Sequence, residues 1–428
     1  MSSDKQLTAR AESWFAQLLS TFRGHNRSIY AILASEILFG TAIGWFTIYR
    51  SVYMVALGVS EVQVGVISAL LFCSQAIGAV LGGWAAGRLG SKRAMQFFDG
   101  LAWGSAIVLW FLAQNFWYFA AAALLNGLFY GAIPNWNRIV ADNSPPERRP
   151  TVYGLVHLCF LGSGLFGPVG GYFVTRYGLI TGNRVIYAVG FIIVGAAILV
   201  RQLFIRPDAP DNTDRTTESA QGAELSFAQV LRFIWHDYRI RVIMLTTVLS
   251  NYTLIIWNNY ASLYMTSSQG LALSAGLISV FPLLSSLSIA LVLLLIIPRV
   301  QAERYVQFLF LGAVSMALGL VLFLLIPAKV FWPLVVFALC FNGGNALLQP
   351  LRSSLQADIV ASAMLPKVVS IGSAFGLLAS IPIGPIAGAL YRVHPRLPFY
   401  VILANQVFIA LLFASLQRAT GTGEVARG

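Results

Sequence analysis

The sequence predicts an all-α integral membrane protein, with twelve transmembrane helices in two pseudo-symmetric six-helix bundles. Three observations predict it. The composition is too apolar for a water-facing surface, twelve apolar runs can each cross a bilayer, and the second half of the chain repeats motifs of the first in the same order.

Composition comes first. Of 428 residues, 57% are hydrophobic and 10% charged, with a mean hydropathy of +0.74. A soluble protein carries about 25% charged residues, so most of this exterior must face lipid. The net charge of +12 does not point to nucleic acid, because the basic residues sit in short loops between apolar runs rather than on one face. Cys73, Cys159 and Cys340 each lie within an apolar run, and His25, His157, His236 and His394 are isolated. This pattern suggests no disulfide framework, metal site or cofactor.

The runs are next. A span needs roughly 20 apolar residues, and in lipid such runs must be helical because the backbone has no water partner. The spans read 29–57, 61–86, 94–113, 116–141, 150–175, 184–205, 241–266, 273–297, 304–326, 330–356, 367–391 and 397–417. Lys and Arg concentrate on the segments that share a side with the N-terminus, among them Arg88, Lys92, Arg93, Arg148, Arg149, Arg299 and Arg304. The positive-inside rule then places both termini in the cytoplasm of a multi-pass plasma-membrane protein. Residues 1–28 carry Leu7, Ala11, Trp14, Leu18 and Phe22 at helical spacing, which suits an interfacial helix or a partly ordered tail. The bundles are expected at 29–206 and 241–418, with a cytoplasmic linker at 207–240 and a tail at 419–428. Within the linker, 226–239 reads as a surface helix on the inner leaflet.

The repeat fixes the symmetry. Asn126-Gly127, Pro134 and Ala141-Asp142 recur 216 residues later as Asn342-Gly343, Pro350 and Ala357-Asp358. Gly167-Pro168 and Gly171 recur as Gly384-Pro385 and Gly388, and Gly65-Val66-Ile67-Ser68 as Gly276-Leu277-Ile278-Ser279. Three matched groups in chain order argue for a duplicated six-helix unit. An even number of spans per unit makes the repeats parallel, with a solute site between them near mid-membrane.

The loop after the second span reads Gly83-Trp84-Ala85-Ala86-Gly87-Arg88-Leu89-Gly90-Ser91-Lys92-Arg93. Gly83, Arg88, Gly90, Lys92 and Arg93 fit a loop motif of the major facilitator superfamily, which the chain resembles over 29–417. Gly87 stands where that family has Asp, and Ser91 where a basic residue is common. The resemblance implies secondary transport by alternating access, with gating contacts at this loop. Asp142 is the expected partner of Arg88, Lys92 or Arg93 when the inner gate closes, and Asp358 that of Arg299 or Arg304. The alternative is that these basic residues only set topology. Gly162, Gly164, Gly167-Pro168 and Gly170-Gly171 look like the glycine-proline motif of the superfamily's drug antiporters, or like a helix-packing face.

Polar groups inside spans are costly and tend to face a cavity. They concentrate on spans one, four, seven and ten, which line the superfamily's cavity. Candidate cavity residues are Trp45, Tyr49, Arg50, Asn126, Tyr130, Asn137, Arg138, Asn251, Trp257, Asn258, Asn342, Asn345, Gln349 and Arg352. Asn342, Asn345, Gln349, Arg352 and Gln356 hold one helical face, as do Glu36, Gly40, Ile43, Thr47 and Arg50. Glu36 lies about 10 Å along the first helix at 1.5 Å per residue. It is the candidate proton-coupling carboxyl, or else a Glu held statically by an arginine such as Arg138. Asp99 is expected to answer Lys92 or Arg93.

With no Gly-Lys pair for a phosphate loop, no catalytic constellation and no pore ring, a pump, an enzyme and a channel are disfavoured. The expectation is a monomeric transporter whose partners are a small solute, protons and the bilayer, exporting amphipathic or drug-like compounds against inward proton flow. Nutrient symport, as of a sugar, and lipid flipping are the alternatives.

Overall fold

The computed structural model describes residues 25–145, 148–205, 227–361 and 364–421. The expected interfacial helix in 1–28 lies outside the described residues apart from its last few positions, as do 207–226 of the linker.

Among the described residues, twelve helices are long and apolar enough to span a bilayer. They are α1 Arg27–Ala56, α2 Glu61–Leu89, α3 Ser91–Leu112, α4 Phe116–Asp142, α5 Thr151–Tyr177 and α6 Leu179–Phe204 in the first bundle. The second holds α7 Tyr238–Thr266, α8 Ala275–Arg299, α9 Ala302–Leu325, α10 Pro333–Ile359, α11 Lys367–Val393 and α12 Leu397–Ala419. Side chains set several starts. Asn26 caps α1 through Ile29 N at 2.9 Å, Ser60 and Gln63 form a capping box on α2, and Asp237 caps α7.

Two helices begin earlier than expected because a single glycine replaces the loop before them. Only Gly90 separates α2 from α3 and only Gly178 separates α5 from α6, at φ +79° and +80°. A residue without Cβ turns the chain there in one step, so α3 starts at Ser91 rather than 94 and α6 at Leu179 rather than 184. Both repeat prolines sit on matched helices, Pro134 behind a short 3₁₀ turn in α4 and Pro350 inside an unbroken α10.

The described chain begins and ends at one face of the molecule, here the terminal face, with the far face opposite. The buried core is organised by that axis. One large cluster joins residues of both bundles, from Phe39 to Leu416. At the terminal face the clusters separate. Ile32, Met95, Phe98 and Val152 belong to the first bundle alone, whereas Val230, Ile240, Val360 and Val368 belong to the second. The bundles therefore close on each other toward the far face and part toward the terminal face.

Repeat motifs make the closed seam. α2 packs along α11, where Gly65 meets the backbone of Gly384, and α5 packs on α8, where Gly171 meets Gly276 and Ser279. These are the groups the repeat matched, so each motif docks on the symmetry mate of its partner. The glycine-proline segments thus pack between the bundles. Tyr260 of α7 adds hydrogen bonds from its hydroxyl to Glu61 O (3.1 Å) and Gly384 O (3.0 Å), and Tyr49 of α1 donates to Ala275 O (2.8 Å).

In the linker, the helix Phe227–His236 does more than lie on lipid. Val230 and Ile234 are buried against Val360 and Val368, so this helix is docked on the base of the second bundle.

Candidate functional site

A cavity of about 280 Å³ lies between the bundles. Its walls come from α1 (Gly40, Gly44, Thr47), α5 (Phe160, Ser163), α7 (Trp257, Asn258), α8 (Phe281, Ser285, Ser286) and α10 (Phe341, Asn342, Asn345). Most of the wall is apolar or aromatic. Trp257 anchors it, with ring centroids 4.8 Å from Phe341, 5.0 Å from Phe337, 5.2 Å from Phe323 and 5.6 Å from Phe281. Three carboxamides and several hydroxyls supply directional donors and acceptors, and among the described residues no charged side chain lines the space. Such a site suits a solute with a broad apolar surface and a few polar groups.

The two helical stripes enter this cavity only in their middle parts. Gly40, Ile43 and Thr47 line it from α1, and Asn342 and Asn345 from α10. Gln349 is exposed further toward the terminal face, and the Arg352 guanidinium donates to Thr246 O (3.1 Å) and Ser250 Oγ (3.0 Å). Asn251 approaches Gly376 of α11.

Other expected cavity residues are placed elsewhere. Trp45 is buried, donates from Nε1 to Phe166 O (2.8 Å) and packs on Phe173, so it joins α1 to α5. Tyr49 belongs to the far seam described above. Asn137 and Arg138 are exposed toward the terminal end of α4, and Tyr130 is half-buried on the same helix. Arg50 and Asn126 line a separate void of about 10 Å³. Helical spacing gave the right faces, but a face some seven turns long passes several neighbours.

Glu36 lies in a buried ion cluster. Arg201 of α6 donates from Nη2 to Glu36 Oε1 and from Nη1 to Asp99 Oδ2, each at 2.9 Å, and from Nε to Ser35 Oγ at 3.0 Å. Its guanidinium stacks between Phe39 (4.2 Å) and Trp136 (4.0 Å). All three charged residues are buried, and Asp99 Oδ1 has no hydrogen-bond partner. The arginine partner is therefore Arg201, not Arg138. Asp99 likewise answers Arg201 rather than Lys92 or Arg93. Lys92 Nζ instead caps α6 at Gln202 O (2.9 Å) and Ile205 O (2.6 Å). Sequence reading did not single out Arg201, which lies near the end of the sixth span. The available signal was two acidic residues, Glu36 and Asp99, at similar depth from one face.

At the terminal face Arg138 pairs with Asp142 one helical turn away, at 3.5 Å. Arg88 lies over the Trp84 ring at 4.5 Å, Gly83 has open space beside it, and Arg93 is exposed. Among the described residues, Asp358, Arg299 and Arg304 form no ion pair. The expected contacts of Asp142 and Asp358 belong to a closed terminal face, and here that face is parted. No cluster of three or more His, Cys, Asp or Glu among the described residues forms a metal-binding set.

Comparison with known proteins agrees with this architecture. The model of the Major Facilitator Superfamily matches residues 31–343. Multidrug resistance protein MdtG of Dickeya zeae (strain Ech586) is 24% identical over 375 residues, covering 85% of this chain and 87% of its own. The MdtG of Proteus mirabilis (strain HI4320) is 22% identical, covering 92% and 97%. Among solved structures, a D-xylose-proton symporter superposes with a TM-score of 0.70 at 14% identity, covering 90% of this chain and 97% of its own. A peptide transporter POT in complex with sulfate gives 0.68 at 15%, covering 95% and 97%.

Proposed function

The chain belongs to the Major Facilitator Superfamily and is a multi-pass membrane transporter, and from that premise we propose that it exports amphipathic, drug-like solutes by alternating access against inward proton flow. The observation that carries this reading is the cavity, whose aromatic wall around Trp257 lacks any charged lining residue. An apolar wall with a few amides accepts many solutes by shape and dispersion rather than by one fixed hydrogen-bond pattern. The relatives named for multidrug resistance, matched over most of their length, support the same direction. Sugar symport is the second reading, favoured by Asn258, Asn342 and Asn345 together in one wall. With the basic loops in the cytoplasm of a plasma-membrane protein, the parted terminal face is the one that loads solute.

The coupling proton is assigned to the cluster of Glu36, Asp99 and Arg201. Two carboxyls share one guanidinium there, so the fully ionised cluster carries one uncompensated negative charge. Moving such a charge through a low-dielectric interior costs several kcal/mol, and binding one proton removes it. Arg201 cannot take this part because it stays charged.

The test is transport by purified protein in liposomes with an imposed pH gradient. Wild type should release protons down the gradient while concentrating a lipophilic dye or drug, and Glu36→Gln should lose accumulation while keeping solute exchange. Accumulation of xylose but of no amphipathic compound would select the symport reading. Normal pH-dependent accumulation by Glu36→Gln would make Glu36 purely structural.

A further inference from the structure

A second, smaller space lies apart from the solute cavity, at the seam toward the far face. It measures about 10 Å³, room for a single water-sized particle. Arg50 of α1, Ser68 of α2, Asn126 of α4 and Asn259 of α7 supply its polar lining. This lining includes donors that have no acceptor. Arg50 forms no ion pair and no hydrogen bond among the described residues. Asn126 is 8% exposed, and its Nδ2 is buried without a partner. Asn259 is 4% exposed, and its Oδ1 already accepts from Ser68 Oγ at 2.8 Å, which leaves its NH2 group to donate.

We propose that this void binds one monatomic anion of the chloride class, held by Arg50, Asn126 and Asn259 between the two bundles. A guanidinium without a counter-charge in a membrane interior is strongly unfavourable, and such groups are paired or serve a ligand. A water would fill the volume without neutralising the charge. A carboxylate or phosphate group is too large for it. A halide satisfies both size and sign, and it accepts from all three donors.

The position gives the site a consequence. Arg50 and Asn126 belong to the first bundle and Asn259 to the second, and the Ser68–Asn259 bond crosses the seam. Parting of the far face would withdraw Asn259 and open the site to water. The anion therefore binds the far-closed conformation better, and by linkage its binding holds the far face shut. This holds whatever solute the main cavity takes.

The experiment compares thermal unfolding of the purified full-length chain in sodium chloride, sodium bromide and sodium gluconate at equal ionic strength, together with binding of radiolabelled chloride. Chloride and bromide should raise Tm with a saturating concentration dependence that gluconate lacks, and about one chloride should bind per chain. Arg50→Gln should lose both effects. Asn259→Asp puts a carboxylate beside Arg50. In gluconate it should reach the Tm that wild type shows only in chloride, and it should bind no label. Equal Tm in all three salts with no bound label would overturn the proposal, as would a full chloride response in Asn259→Asp.

Discussion

Gly384→Ala probes the far seam directly. A Cβ at this position would lie 2.5 Å from Gly65 O and 3.2 Å from both Gly65 C and Cα. Ordinary contact lies at roughly 3.5–4.0 Å, so the shortest approach is about 1 Å too close. Every atom it meets is helix backbone, which cannot rotate aside, so α2 and α11 must separate. Overpacking of this kind costs about 1–3 kcal/mol. The cost falls on the far-closed state alone, because the two helices part when the far face opens. At about 2 kcal/mol, and about 1.4 kcal/mol per tenfold, the far-closed population should fall by about 30-fold relative to the far-open one. Spin labels at the far ends of α2 and α11, read by electron-electron distance measurement, should show a longer distance gaining weight. Gly195→Ala in α6 is the reference, since a Cβ there meets nothing within 4 Å. An unchanged distance distribution in Gly384→Ala, or an equal shift in Gly195→Ala, would refute the seam argument.

Tyr260→Phe removes a hydroxyl whose single proton is shared between Glu61 O across the seam and Gly384 O of its own bundle, worth about 0.5–1.5 kcal/mol. The same label pair should move in the same direction by about fivefold, and a population within twofold of wild type would contradict it. Arg201→Met leaves Glu36 and Asp99 buried without their shared cation, so unfolding in detergent should show a loss of about 3–5 kcal/mol; a wild-type Tm would mean the cluster contributes nothing to stability. Asp142→Asn breaks an ion pair whose side chains are 49% and 43% exposed, worth less than about 1 kcal/mol. Its Tm should be unchanged, while its transport rate should change more than its solute affinity. An unaltered rate would remove Asp142 from the gate.

Much of the fold was legible because a bilayer enforces it locally. Lipid demands about 20 apolar residues per crossing and allows only helices there, so composition and run length located all twelve spans. At two of the boundaries that moved, Ser91 and Leu179, one glycine at positive φ had replaced a loop. The repeat was legible for a similar reason, since both halves solve the same packing problem with the same glycines and prolines.

The site was legible only in part. Spacing placed Gly40, Ile43, Thr47, Asn342 and Asn345 on the faces that form the cavity. It could not say that Trp45 and Tyr49, on the same helix as Thr47, turn to α5 and α8. It could not say that Glu36 and Asp99 converge on Arg201 from three helices. What the sequence alone determined was the set of properties fixed by neighbours along the chain: helix, span and symmetry. What only the tertiary structure decided was which residues meet across helices. A helix presents a face to each neighbour, and rotations and close approaches set by contacts hundreds of residues apart choose which face that is.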